Sequence, residues 1–271
     1  MRHVLFDVPV DDFSPEELQK LLRFWLLAEQ GKFIVTPNPE FILLALKQAA
    51  FKNLLQKADL SLADGIGLKY AIAALTENKL SYRQTGVDLV ALLCQLSIQE
   101  HKTVVLLGGD PGMAEKAKQE LVKRFPELSA KAIDPGYLLG SADHVDLPAS
   151  LIQELQSANP DILLVALGQG KQERCIQQIL QIMPQIQISV GVGGSFETIA
   201  GSKPRAPVWL RQIGCEWFWR LLIEPKRFFR TIKAVIVFPS VVVLATLKQQ
   251  IFLKALKRTL PELWNQLRNK S

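Results

Sequence analysis

A chain of 271 residues, 48% hydrophobic and 21% charged, can bury a full core, which excludes a disordered polypeptide and allows one large domain or a domain with an appendage. The net charge of +6 is unevenly placed: residues 203–271 hold 14 Lys/Arg against 3 Asp/Glu, a net of +11, so residues 1–202 net −5. The three cysteines, Cys94, Cys175 and Cys215, are scattered and odd in number, which argues against a disulfide framework and for buried thiols in a reducing compartment.

The N-terminal MRHVLFDVPVDDF turns acidic within a few residues and is not expected to be a signal peptide. Lys32–Thr36 is a short β-type run that stops at Pro37-Asn38-Pro39, and Glu40–Lys57 has helical spacing. Leu60–Ala63 is a second apolar run, stopped by Asp64-Gly65. Thr103–Leu107 reads as a strand running into Gly108-Gly109, and Pro111–Phe125 as a helix with proline at its start. Asp161–Leu167 is a continuous apolar strand, followed by Gly168-Gln169-Gly170 and a helical run to about Met183. Gln187–Val192 is the next strand, closed by Gly193-Gly194. Continuous apolar strands separated by helices predict an α/β fold, a Rossmann-like, mostly parallel sheet with helices on both faces. Internal repeats and low-complexity segments are not evident.

The composition changes near Gly201–Ala206, which divides the chain into a catalytic body, 1–202, and a basic, aromatic helical appendage, 203–271. The most apolar stretch of that appendage, Ala234–Leu247, is 14 residues long and contains Pro239. A spanning helix needs roughly 18–20 apolar residues, so interfacial or buried packing is expected.

In an open α/β sheet, ligands bind at the carboxyl ends of the strands, and four such ends carry notable residues. Gly108-Gly109-x-x-Gly112, between strand and helix, would let backbone amides approach a phosphate, though a tight turn is the plainer reading. Its spacing is neither the dinucleotide fingerprint nor a Walker loop. Asp64, between strand and glycine, is either a general base or a turn or cap aspartate. Thr36 and Asn38 share that ambiguity. Gln169, flanked by glycines, suggests close ligand approach or a glycine-rich loop. His3, His101 and His144 are all expected at the surface, and metal-ligand spacing and a nucleophile elbow are both missing from the sequence. A departing pyrophosphate would then draw its positive charge from arginine, for which Arg83, Arg205, Arg211, Arg220, Arg227 and Arg230 are the candidates.

These residues fall in an ordered set of blocks: TPNPEF, ADGIGL, Arg83 with Thr85-Gly86-x-Asp88, LLGGDPGMAEKA, PDILLVALGQGKQE, GVGGSFETIAG, RAPVW and GCEWFWRLLIEPKRFFR. From Phe6 to Arg230 the set resembles the WecG/TagA/CpsF family of bacterial glycosyltransferases. The resemblance implies inverting transfer of an N-acetylhexosamine-type sugar, N-acetylmannosamine or its uronic acid, from a UDP donor. The implied acceptor is a polyprenyl-diphosphate-linked sugar at the cytoplasmic face of the membrane, in cell-surface polysaccharide or teichoic-acid-like synthesis, and no cofactor or metal is implied.

Carried over by position, Asp64 is the implied base, with Thr36, Asn38, Arg83 and Gln169 as pocket residues. Arg205, Arg220, Arg227 and Arg230 would meet the diphosphates. Gly108, Gly109, Gly112, Gln172, Glu173, Gly193, Gly194 and Glu197 would form the nucleotide site. Glu197 departs from the aspartate usual in the family, and the extension after Arg230 is longer and more apolar than that of the teichoic acid members. The expected location is peripheral, on the inner face of the cell membrane, which is taken to be anionic; the oligomeric state is left open. Three rival readings are a membrane-associated nucleotide-binding regulator without catalysis, a doubly wound dehydrogenase and a nucleic-acid binder. The intact Asp64, Asn38, Gln169 and Arg83 argue against the first and the absent dinucleotide fingerprint against the second. The tail's aromatics cluster with leucines and isoleucines rather than along a polar groove, which argues against the third.

Overall fold

A computed structural model describes residues 1–28, 30–140 and 144–268; the last three residues of the predicted appendage, 269–271, lie outside it. The chain opens with an antiparallel hairpin, β1 (Arg2–Leu5) and β2 (Val8–Asp11), then α1 (Pro15–Leu26) and β3 (Lys32–Val35). Next come α2 (Pro39–Lys47), α3 (Ala49–Gln56), β4 (Leu60–Ser61), α4 (Ile66–Leu75) and α5 (Gly86–Gln99). The central part is β5 (Val104–Gly108), α6 (Met113–Arg124), β6 (Ala130–Ile133), α7 (Ala149–Ala158), β7 (Ile162–Ala166), α8 (Lys171–Ile182), β8 (Ile188–Gly191) and α9 (Ser195–Ile199). Five further helices follow: α10 (Val208–Gln212), α11 (Glu216–Ile223), α12 (Phe228–Ile232), α13 (Phe238–Lys248) and α14 (Phe252–Arg268).

Six strands form one sheet in the order β4-β3-β8-β7-β5-β6, with every pairing parallel. Strands β5, β7 and β8 are buried end to end, which is why β5 and β7 read as nearly unbroken Val/Ile/Leu runs. Alternate residues point into two apolar cores, one on each face: Val105, Leu107, Leu163 and Val165 on one side, Val104, Leu106, Ile162 and Leu164 on the other. The predicted α/β architecture with helices on both faces is therefore present.

Three expectations are corrected. The helical run over Glu40–Lys57 is two helices, because Gln48 is extended (φ −127°, ψ 103°) and ends α2 before α3 begins. His3 is buried rather than exposed. It sits on β1 where the hairpin packs on the body, and the lost hydration lowers its pKa and favours the neutral ring.

The third correction concerns the apolar stretch near Pro239. It belongs to one continuous helix, Pro225–Lys248, of 24 residues and mean hydropathy 1.9 in its most apolar window, long and apolar enough by length and composition to cross a membrane. Pro239 does not break it. The preceding turn, Lys233–Val237, is π-helical, with the Phe238 N–H donating to the Lys233 carbonyl, which absorbs the missing proline donor.

Candidate active site

Two β-to-α turns and the later helices enclose a cavity of about 320 Å³ at the carboxyl ends of β3 and β4. The β3–α2 turn brings Asn38 and Glu40, and the β4–α4 turn brings Asp64. Arg83 comes from the segment before α5, Glu216 and Arg220 from α11, and Arg227 and Arg230 from the start of the long helix. Five arginines and three carboxylates line the space, so it is net positive.

Local sequence explains each placement. Asn38 caps α2, its Oδ1 accepting from the N–H of Glu40 (2.9 Å) and Phe41 (3.1 Å), with Pro39 at the first helical position. Asp64 is fixed through its backbone, its N–H donating to the Pro37 carbonyl at 2.8 Å. Gly67 has to be glycine for α4 to lie this close: a β-carbon there would stand 2.8 Å from Pro39 and 3.6 Å from Phe238. Gly214, at φ +77°, plays the same part from the other side, seated on the side chain of Ile66.

Burial pushes the Asp64 carboxyl up to about 6; Arg220 and Arg83 oppose that rise and Glu216 adds to it. A carboxylate so poised can take a proton near neutral pH. Arg227 carries the complementary signal. Burial, with Arg230 and Arg220 close by, lowers the pKa of its guanidinium. That cluster of like charges, with Arg227 its most buried member, would be relieved by a polyanion.

Carboxylates pair with three of the five cavity arginines. Glu40 takes Arg230 in a two-oxygen grip (2.7 and 3.1 Å), Glu216 takes Arg220 (3.2 Å), and Glu224 takes Arg227 (3.2 Å) and Lys203 (2.8 Å). Arg83 makes no ion pair among the described residues.

The sequence-predicted residues fall into three groups. Asp64, Asn38, Arg83, Arg220, Arg227 and Arg230 line the one cavity. Thr36 lies buried beneath it, its hydroxyl donating to the Gly191 carbonyl at 3.2 Å. Gln169 lines an adjoining cavity with Leu43, Leu44 and Lys47, and the Glu40–Arg230 pair borders both spaces. Arg205 is engaged elsewhere, forking onto Asp88 at 2.6 and 2.7 Å and tying the start of the appendage to α5.

The glycine loops form the third group. Gly108 and Gly109 have φ near +90°, and Gly112 (φ +77°) caps α6. Gly109 lies beside Phe196 of α9, so the loops after β5 and β8 are neighbours. Gln172 and Glu173 are buried in the first turn of α8: the Gly193 N–H donates to Gln172 Oε1 (3.1 Å), and the Gly170 N–H donates to Glu173 Oε2 (2.6 Å). Burial pushes the Glu173 carboxyl up to about 7. Both side chains brace this loop end. Glu197 is buried with Oε2 unpartnered, and it flanks Gly194 together with Arg227.

Glu40, Tyr70 and Glu216 line the cavity without having been singled out from the sequence. Local signals could have found two of them, since Glu40 follows Asn38 in the first turn of α2 and Glu216 stands four residues before Arg220 on one helix; Tyr70 has no such signal.

The site sets the Asp64 carboxylate among a cluster of arginines at the carboxyl ends of a parallel sheet, and sequence comparison supplies its class. The chain belongs to the glycosyl transferase WecG/TagA/CpsF family, whose model matches residues 3–255. It is similar to the N-acetylglucosaminyldiphosphoundecaprenol N-acetyl-beta-D-mannosaminyltransferase of Bacillus subtilis (strain 168), 30% identical over 74% of this chain and 75% of that one. The proteins of the same name from Bacillus spizizenii (30%; 81% and 83% covered) and Staphylococcus aureus MRSA252 (33%; 76% and 77% covered) are similar to it as well. The chain is accordingly a hexosyltransferase, and a regulator without catalysis is not favoured.

Proposed function

We propose that this enzyme transfers N-acetylmannosamine, or a closely related N-acetylhexosamine such as its uronic acid, from a UDP donor to a polyprenyl-diphosphate-linked sugar. The names of its relatives motivate the donor sugar and the acceptor. What carries the reading is the meeting of a half-buried Asp64, poised near pH 6, with the arginine cluster of Arg220, Arg227 and Arg230 across one cavity.

In the proposed mechanism the acceptor hydroxyl gives its proton to the Asp64 carboxylate as its oxygen bonds to the anomeric carbon of the donor. The bond from that carbon to the UDP oxygen breaks on the opposite face, and UDP leaves with the electron pair, so the anomeric centre inverts. Arg227 and Arg230 exchange their carboxylate partners for diphosphate oxygens when the donor binds, and so face the leaving group as its charge develops. Interactions that strengthen as charge develops on the leaving group lower the barrier. Asn38, Arg83 and Thr36 shape the sugar pocket, and Gln169 joins it when the Glu40–Arg230 pair opens. The loops at Gly108–Gly112 and Gly193–Gly194, with Glu197, take the nucleotide. Residues from 203 onward act as an appendage closing this site at the inner face of the membrane, where a polyprenyl acceptor resides.

A screen of UDP-sugars against a short-chain lipid-diphosphate acceptor, reading UDP release, tests the assignment. UDP-N-acetylmannosamine should be turned over. Absence of UDP release with every N-acetylhexosamine donor would overturn it.

A further inference from the structure

Helix α14 runs to Arg268, past residue 255 where the family match ends, and the proposed transfer reaction gives it no task. Its residues sort by face. At about 100° per residue, Leu253, Leu256, Leu260, Leu263 and Trp264 fall within an arc of about 100°. All five are exposed, Leu253 by 73%, Leu260 by 53% and Trp264 by 57%.

The opposite face is firmly held. Ala255 is buried, and Glu262 is buried between Lys69 (3.3 Å) and Lys79 (2.7 Å). Arg258 donates to the Thr76 carbonyl (3.0 Å) and to Glu77 (2.8 Å). Both α13 and α14 pack on α4, and α13 also leaves Val243, Leu244 and Leu247 exposed.

Five large apolar side chains on a helix docked this tightly call for a covering partner. Charge selects which. Lys254 and Lys257 lie along one edge of the stripe, and Arg268 stands 4.6 Å from the Trp264 ring. The one carboxylate of α14, Glu262, is occupied by its two lysines. A second copy meeting this face symmetrically would set basic rim against basic rim. An anionic lipid surface offers an apolar layer below and negative headgroups beside it.

We propose that α14 is an in-plane amphipathic anchor that lies in the headgroup region of an anionic bilayer. Because α14 is strapped to α4, and α4 begins two residues after Asp64, the anchor also sets the position of the cavity relative to the lipid surface. This rests on the reading that the enzyme meets a membrane, and adds that α14 is a principal contact.

Flotation of the full chain with phosphatidylglycerol or phosphatidylcholine vesicles tests it. Wild type should float with the former and release at high salt. Leu253→Ser/Leu260→Ser/Trp264→Ser should reduce the bound fraction about tenfold or more. Lys254→Glu/Lys257→Glu, at two exposed positions that leave the fold intact, should reduce binding to phosphatidylglycerol alone. Both variants should keep UDP release with a water-soluble short-chain acceptor. Equal flotation of the variants and wild type overturns the proposal and spares the membrane reading. No flotation of wild type on either vesicle overturns both. A wild-type dimer that the apolar variant converts to monomer, with flotation unchanged, assigns the face to a second copy and overturns the proposal.

Discussion

Strands β5, β7 and β8 are buried at every residue, whereas α11 and α12 of the appendage contain no fully buried residue at all. The body carries its own two-sided core. The appendage carries comparable apolar content, yet Trp209, Phe218, Leu222, Phe228 and Phe229 remain exposed. Its later helices join the body's core through Phe238, Val242 and Ala255, while its earlier part is tied by discrete links such as Arg205 on Asp88 and Arg230 on Glu40. A segment built that way can bring cations to a site while keeping an apolar face for another phase. The body supplies Asp64, and the appendage supplies most of the positive charge that faces it.

Measurements at four residues would break or sharpen that contrast. The largest effect is expected for Asp64→Asn, which should lower turnover by about 10²–10⁴-fold with substrate binding retained. A folded variant with near-wild-type turnover would falsify the base assignment. In wild type, kcat/KM should rise with pH through about 6, since the carboxylate has to be ionised to accept the proton; a profile flat from pH 5 to 8 would speak against Asp64.

Arg230→Ala removes a cation supplied by the appendage alone, and should cost about 10²-fold in kcat while leaving the melting of the sheet unchanged. An unaltered rate would reduce the appendage to an anchor.

Stability should move the opposite way from activity at Asp64. Its pKa is raised on folding, so the folded state holds the proton more tightly and stability falls as pH rises from about 4 to about 6. At pH 8, Asp64→Asn should therefore stabilise by about 1–2 kcal/mol, read by denaturant titration.

Glu262→Gln should loosen α14 by about 1–2 kcal/mol, since its carboxylate bridges two lysines at a buried position. Hydrogen exchange should quicken in α14 and stay slow in β5 and β7. Because those lysines hold the Glu262 pKa down, the contribution is present above the ordinary glutamate pKa and is lost as pH falls through the lowered value. The smallest effect is expected at Asn38→Ala, about 1 kcal/mol from the lost α2 cap; a loss of activity far larger than this would show that Asn38 also acts on substrate.

The sequence by itself determined the sheet, its strand ends and the charge split. Apolar runs such as Thr103–Leu107 and Asp161–Leu167 can be buried on both faces only in a covered parallel sheet, and the turns that follow them carry the polar residues. It left the β1–β2 hairpin and β6 unread, since Arg2, Pro9, Asp11 and Lys131 interrupt their apolar runs. The break at Gln48, the buried His3 and the helix running through Pro239 depend on what packs against them. Only the tertiary structure decided that Glu40 partners Arg230 across 190 positions of chain, that Gln169 sits in a neighbouring space, and that Arg205 is spent on Asp88. Local chemistry fixes what a residue can do, but which carboxylate meets which arginine depends on how the appendage folds back over the sheet.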